Sequence, residues 1–130
     1  MKILTKRQIR KKATLLKKKE ERKAERRLKQ EAKERKRLLV MDMFERDKGL
    51  CVFCKKKVSE KHYQTCHIIP EEFKELRYDI NNVLLGCFYH HKVGRYSIHK
   101  NPLWFCQWLQ KNRYEQYKYL MDWLEKHEKT

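Results

Sequence analysis

"CVFCKKKVSEKHYQTCHIIP", Cys51–Pro70, opens on a Cys-x-x-Cys turn, crosses three lysines, and reaches His67 between a cysteine and an apolar pair. Two thiols in an exposed, lysine-rich turn have no packing reason to be there, so they read as half of a metal site. The other half lies beyond a loop of 32 residues, where Cys87 and His90 are spaced Cys-x-x-His. Zinc takes four N/S ligands in a tetrahedron, and two short-spaced pairs joined by a loop satisfy it. Cys51, Cys54, Cys87 and His90 are therefore expected to hold one structural zinc. The total of five cysteines is odd, and in a reducing compartment this usage favours metal binding over disulfides.

Around this pair the chain reads as short strands. "HYQTCHII" alternates and is rich in β-formers, which predicts a strand near 62–69 ended by Pro70. "EEFKEL" predicts one helical turn, "RYDINN" a loop, "VLLG" a short buried strand, and "CFYHHKVGR" the start of a helix. From Pro102, Leu103, Trp104, Trp108 and Leu109 recur at helical spacing, followed by Tyr117, Leu120, Met121 and Leu124. Pro102 suits a first helical turn, and Cys106 reads as an ordinary buried cysteine among these apolar residues. Upstream, Thr5 to Asp47 holds neither Pro nor Gly and consists mostly of strong helix formers. Gly49 stands where a helix C′ glycine belongs. The expected class is α+β: a small zinc-bound core between a long basic N-terminal helix and C-terminal helices. The division is a helical extension over 1–48 and a metal-bound domain over 49–130.

Charge is unevenly placed. Residues 1–40 carry 18 of the 34 lysines and arginines but 5 of the 17 acids, a net +13, against +4 for the rest. Such a block seeks a polyanion, with nucleic acid ahead of an anionic membrane surface. The helix has three readings: a solvated charged helix, a helix lying along phosphates, and a dimerising or partner-binding helix. Apolar residues are too sparse for a sustained coiled-coil seam. Lys11, Lys12, Arg22 and Arg26, with Arg77, Lys92 and Arg95 near the motifs, are candidate phosphate contacts. No apolar run is long enough to span a bilayer, and "MKILTKRQIRKK" lacks a signal-peptide core. The expectation is no membrane and a cytoplasmic location.

The order Cys-x-x-Cys, "CHIIP", "NNVLLGC", then Cys-x-x-His-His-Lys resembles the HNH nucleases, whose fold is the ββα-metal motif. The resemblance covers about residues 50–92. Asn82, five residues before Cys87, and His91, directly after the last zinc ligand, follow that family's pattern. The whole-chain layout is similar to the NinG/Rap-like recombination nucleases of lambdoid phages, which also set a Lys/Arg/Glu-rich helix ahead of a zinc-bound HNH core. The resemblance implies a metal-dependent endonuclease that cleaves DNA to 5′-phosphate and 3′-hydroxyl ends, with branched recombination intermediates or phage DNA as substrates and the host cytoplasm as its place of action. It implies His67 as general base, Asn82 as the residue whose amide orients that imidazole, and His91 as ligand to a catalytic divalent cation (Mg, Mn, Ni or Zn).

Cys66 occupies a position where many family members bear an Asp or His ligand. It has two readings, a soft ligand to the catalytic cation or an inert strand residue. His99 likewise has three: a second ligand, a phosphate contact, or a helix-entry histidine. The rival reading of the whole chain is a non-catalytic zinc-finger module that binds nucleic acid. The set His67, Asn82 and His91 separates the two, because a binding knuckle has no need of it.

Overall fold

A computed structural model describes residues 3–128 of the 130. The protein is α+β, with three α-helices and one antiparallel two-stranded sheet among the described residues. It divides into two units, one up to Arg37 and the other from Leu38 onward. None of the described helices is long and apolar enough to cross a membrane.

Helix α1, Lys6–Arg46, begins at a reciprocal cap. Thr5 Oγ1 accepts from the Gln8 N–H at 3.2 Å, and Gln8 Oε1 accepts from the Thr5 N–H at 2.9 Å. Up to Arg37 nearly every side chain is exposed. The helix there rests on intrinsic propensity and on local pairs such as Arg37–Glu34 at 2.6 Å, which contribute little when solvated. Lys11, Lys12, Arg22 and Arg26 all lie on this exposed surface.

The character of α1 changes at Leu38. Leu39 and Met43, one turn apart, are buried with Cys51, Val58, Val83 and Leu85. Gly49, at φ 68°, ends the run by returning its N–H to Phe44 O at 3.0 Å. Strand β1, Gln64–His67, pairs antiparallel with β2, Val83–Gly86, in a register that sets His67 opposite Val83. All four residues of β2 are buried because both faces of the strand are covered. Val83 and Leu85 join the cluster at the end of α1, and Leu84 joins Val52, Cys66, Phe105 and Leu109.

Helix α2, Pro102–Asn112, is capped by Asn101, whose Oδ1 accepts from the Trp104 N–H at 3.1 Å. Helix α3, Tyr114–His127, brings Leu120 onto Ile69 and Leu76. The tail is thus two helices, which meet at Arg113. The break serves a buried carboxylate. Asp47 is bridged by Arg113 at 2.9 Å and by Arg46 at 2.8 Å, and it accepts the Leu85 N–H at 3.0 Å. Burial opposes the Asp47 charge, yet these donors and cations together hold its carboxyl below the usual range.

Three further expectations are corrected. Cys106 is exposed, because α2 turns Phe105 and Leu109 inward and leaves position 106 on the outer side. "EEFKEL" forms successive turns and no helix. The helix expected from Cys87 is a single π turn, Tyr89–Val93, closed by the Gly94 N–H on Tyr89 O at 2.8 Å. A side chain at Gly94 would collide with the Tyr89 ring, whose nearest atom would lie 2.6 Å from an added Cβ.

Candidate metal centre and histidine cavity

The donor atoms of Cys51, Cys54, Cys87 and His90 all lie within 4.8 Å of one another. Cys54 Sγ and Cys87 Sγ are 4.0 Å apart, and His90 Nδ1 is 3.2 Å from Cys87 Sγ. Ligands of a tetrahedral zinc, at about 2.3 Å for sulfur and 2.0–2.1 Å for nitrogen, stand roughly 3.5–3.8 Å apart. The cluster therefore fits a structural metal such as zinc, and the four expected residues are the ones brought together.

The backbone shapes each half. The turn at Cys51–Cys54 is closed by the Cys51 N–H on Lys56 O and the Lys55 N–H on Cys51 O, both 2.9 Å. It is tied to β2 by the Val52 N–H on Leu85 O at 3.0 Å. Phe53 stacks on the His90 ring with centroids 5.6 Å apart. Without metal, burial pushes the Cys51 thiol up to about 11, against the pull of the amides of Cys54, Phe53 and Cys87. Burial also raises Cys54, but the Lys56 amide, the neighbouring thiols and the Lys56 charge outweigh it and leave that thiol low. Burial and the charge of Lys56 lower His90, which favours the neutral imidazole a metal requires.

Beside this centre lies a cavity of about 480 Å³ lined by residues that include Thr65, His67, Glu71, His91, Lys92 and His99. His67 is largely buried, with its side chain 13% exposed. Its Nε2 is 3.0 Å from Arg77 O. A carbonyl only accepts, so Nε2 is the donor in this pair, and Nδ1 is the ring nitrogen left for other partners. That Nδ1 is 3.4 Å from Glu71, whose side chain is mostly exposed.

The role expected of Asn82 is corrected by its bonds. It is fully buried, and its amide does not reach the imidazole. Oδ1 accepts from the Ile69 N–H at 2.7 Å, while Nδ2 donates to Ile69 O at 2.9 Å and to Leu76 O at 3.1 Å. Asn82 thus pins both ends of the loop after β1, and it is the Arg77 carbonyl of that loop that orients His67. Arg77 also anchors the loop through its guanidinium, which donates to Glu71 O at 2.9 Å.

His91 is fixed by Gln64, whose Oε1 accepts from Nδ1 at 2.9 Å. Burial, with the neighbouring His99, Lys92 and His67, pushes its pKa down to about 4, so the ring is neutral at neutral pH. Its Nε2 meets His99 Nε2 at 3.1 Å. The return of the chain after the π turn brings His99 there, through the Ile98 N–H on His90 O at 2.9 Å and the His99 N–H on His91 O at 3.2 Å.

Of the two readings of Cys66, its placement is that of the inert strand residue and not of a ligand. It is fully buried among Val52, Leu84, Phe105 and Leu109, and strand alternation turns it away from Thr65 and His67. Burial, reinforced by the nearby Cys51 and Cys87, holds its thiol protonated. Lys92 lines the cavity and is exposed, as is Arg95. Sequence reasoning did not find Gln64, Arg77 O or Thr65, whose Oγ1 is buried with no hydrogen-bond partner among the described residues. A glutamine or threonine in a strand carries no periodic signal, and a carbonyl carries none at all.

No family model, no curated protein and no solved structure matches this chain.

Proposed function

We propose that the protein is an HNH-type, metal-dependent endonuclease acting on DNA, with a structural zinc at Cys51, Cys54, Cys87 and His90. The observation that carries this reading is the state of His67. One ring nitrogen is engaged by a backbone carbonyl, the other stands in the cavity 3.4 Å from the mostly exposed Glu71 carboxylate, and a second imidazole, that of His91, lies in the same cavity. A zinc-binding module that only grips nucleic acid has no use for that arrangement.

In the proposed reaction His67 Nδ1 accepts a proton from water as the water oxygen bonds to phosphorus. The bond from phosphorus to the 3′-oxygen breaks, and that oxygen takes a proton from solvent, leaving 5′-phosphate and 3′-hydroxyl ends. Histidine suits the task because its ordinary pKa lies near neutrality. The Arg77 carbonyl orients the ring, Asn82 pins the loop that carries that carbonyl, and Lys92 and Arg95 contact phosphate. A divalent cation at His91 would supply charge stabilisation at the leaving oxygen. The exposed bases of α1, including Lys11, Lys12, Arg22 and Arg26, support DNA as partner through counterion release.

The test is cleavage of supercoiled plasmid and of four-way junctions by the zinc-loaded chain, with Mg²⁺, Mn²⁺ or Ni²⁺. His67→Ala is expected to lose a factor of about 10²–10⁴ in rate while keeping its zinc and its DNA affinity. A wild type that binds both DNAs and cuts neither with any metal leaves the non-catalytic zinc-finger reading.

A further inference from the structure

Five rings form an unbroken chain of contacts. Tyr89 meets the His90 ring with centroids 5.1 Å apart, His90 meets Phe53 at 5.6 Å, Phe53 meets Trp104 at 5.5 Å, and Trp104 meets Tyr96 at 5.9 Å. None of the five is fully buried. The two end rings, Tyr89 and Tyr96, are 56% and 55% exposed, yet both are held. Tyr89 lies over Gly94, where an added Cβ would strike it, and Tyr96 packs on Trp104. Burial does not account for rings this exposed, and a ring already fixed loses little further freedom when a ligand covers it. The surroundings are basic throughout. Residues 48–59, which carry Phe53, include four lysines, and residues 80–114, which carry the other four rings, include five lysines and arginines, with no aspartate or glutamate in either segment.

We propose that this row of rings is a stacking face for the unpaired bases of a single-stranded nucleic acid, whose phosphates run along Lys56, Lys92 and Arg95. Every base offers a π face, so exposed rings take any sequence, while a cationic border tracks the backbone. Lys56 is near enough for its charge to act on His90, and Lys92 and Arg95 are exposed in the segment that joins Tyr89 to Tyr96. A second copy of this chain is a poor occupant, because it would bring the same cations against these. Lys92 also lines the histidine cavity, so a strand lying on the rings leads to His67 and His91. This inference deepens the nuclease reading, since it names DNA that is single-stranded beside the cut as the substrate. It rests on that reading for the cut alone, not for the binding.

The full-length, zinc-loaded chain is titrated with oligo(dT), with oligo(rU) and with a DNA duplex, without added divalent cation and across a salt series. Zinc content, melting temperature and self-association are followed in every variant. Tyr89→Leu and Tyr96→Leu keep apolar area but lose the ring, and each is expected to weaken oligo(dT) binding by about 5-fold or more. Their duplex affinity and the slope of log affinity against log salt should stay at wild-type values, because no charge is lost. Tyr89→Phe and Tyr96→Phe keep the ring and should bind as wild type, which separates stacking from any general loosening beside His90. Lys92→Ala should instead lower the salt slope. The oligo(rU) arm tells whether the strand can be RNA as well as DNA. Wild-type oligo(dT) affinity in both leucine variants, or equal losses on oligo(dT) and duplex, overturns the proposal. A self-associating wild type that becomes monomeric in Tyr89→Leu gives the face to a second copy and also overturns it. If the leucine variants lose oligo(dT) but the wild type cuts no DNA, the stacking face stands and the nuclease reading falls. If the wild type cuts DNA and the leucine variants bind and cut as it does, the nuclease reading stands without this face.

Discussion

The Cys/His cluster and the histidine cavity share one stretch of chain: Cys87 and His90 serve the first, and His91, the next residue, serves the second. They are built differently. In the cluster the ligands converge by themselves, and a tetrahedral ion would impose the remaining order. In the cavity nothing but protein imposes order, and each imidazole is held by a group from elsewhere, His67 by Arg77 O and His91 by Gln64. The difference predicts a division of labour. Changes at the cluster act on folding, and changes at the cavity act on chemistry.

The largest effect is expected from metal removal. Structural zinc contributes on the order of 10–16 kcal/mol in small zinc domains, as much as the whole stability of a typical domain, about 5–15 kcal/mol. Stripping the ion with a chelator should therefore unfold the unit from Leu38 onward. Tryptophan fluorescence is the measurement of choice, because the residual helix of α1 would mask the change in circular dichroism. Phe53, inside the Cys51–Cys54 turn, packs on Trp108 with centroids 4.3 Å apart and on Trp104 at 5.5 Å. Their emission should shift to that of solvated tryptophan on chelation and recover with Zn²⁺. An unshifted spectrum in the metal-free chain would break the comparison, because the apolar clusters would then suffice alone.

Asn82 is where the division should fail. Its side chain belongs to the cavity's machinery, yet its bonds are structural. Asn82→Ala leaves the Ile69 N–H and Ile69 O without their partner, while Leu76 O keeps the Asp79 N–H at 3.2 Å. A buried polar group left unmade costs about 1–3 kcal/mol, so with two such groups a loss of about 2–6 kcal/mol is expected, read as a lower midpoint in urea. The loop that carries Arg77 O is released in the same step, so activity should fall even where the variant remains folded. His67→Ala, by contrast, should leave the midpoint nearly unchanged. Equal midpoints for Asn82→Ala and wild type would show that water or backbone rearrangement replaces the amide.

This contrast also explains what could be read in advance. The cluster was legible because metal ligation depends on residue type and spacing, both written in the chain. Both strands and the start of α2 were legible from alternation and from Pro102. The break at Arg113 was not, because it answers to Asp47, 66 residues away, and an aspartate after a helix looks like any surface acid. The partner of His67 was hidden for a related reason. A backbone carbonyl has no letter, and the resemblance implies that role for a side chain, Asn82, which in fact acts on the loop. The exposed side of α2 shows the limit of periodicity: Leu103 and Cys106 fall within an apolar stretch, but only Phe105 and Leu109 are buried.

The smallest effect sharpens the view that the cluster's own turn is a folding device. Lys55 adopts φ 61°, a left-handed conformation, in order to close the Cys51–Cys54 turn with its N–H on Cys51 O. That conformation costs a residue with a Cβ roughly 1–2 kcal/mol. Glycine adopts it freely but loses more backbone entropy on folding, roughly 0.5–1 kcal/mol relative to alanine. The difference favours Lys55→Gly by a few tenths to about 1 kcal/mol. For a unit of this size that is a rise of a few degrees in the melting temperature of the zinc-saturated chain. The Lys55 side chain is exposed and takes no part in the cavity, so cleavage should not change. Lys55→Ala separates strain from charge: it removes the ammonium but keeps the Cβ, and it should melt with the wild type. If the alanine and glycine variants rise together, the gain comes from relieving lysine crowding in "KKK". If only glycine rises, the turn carries backbone strain that the metal holds in place.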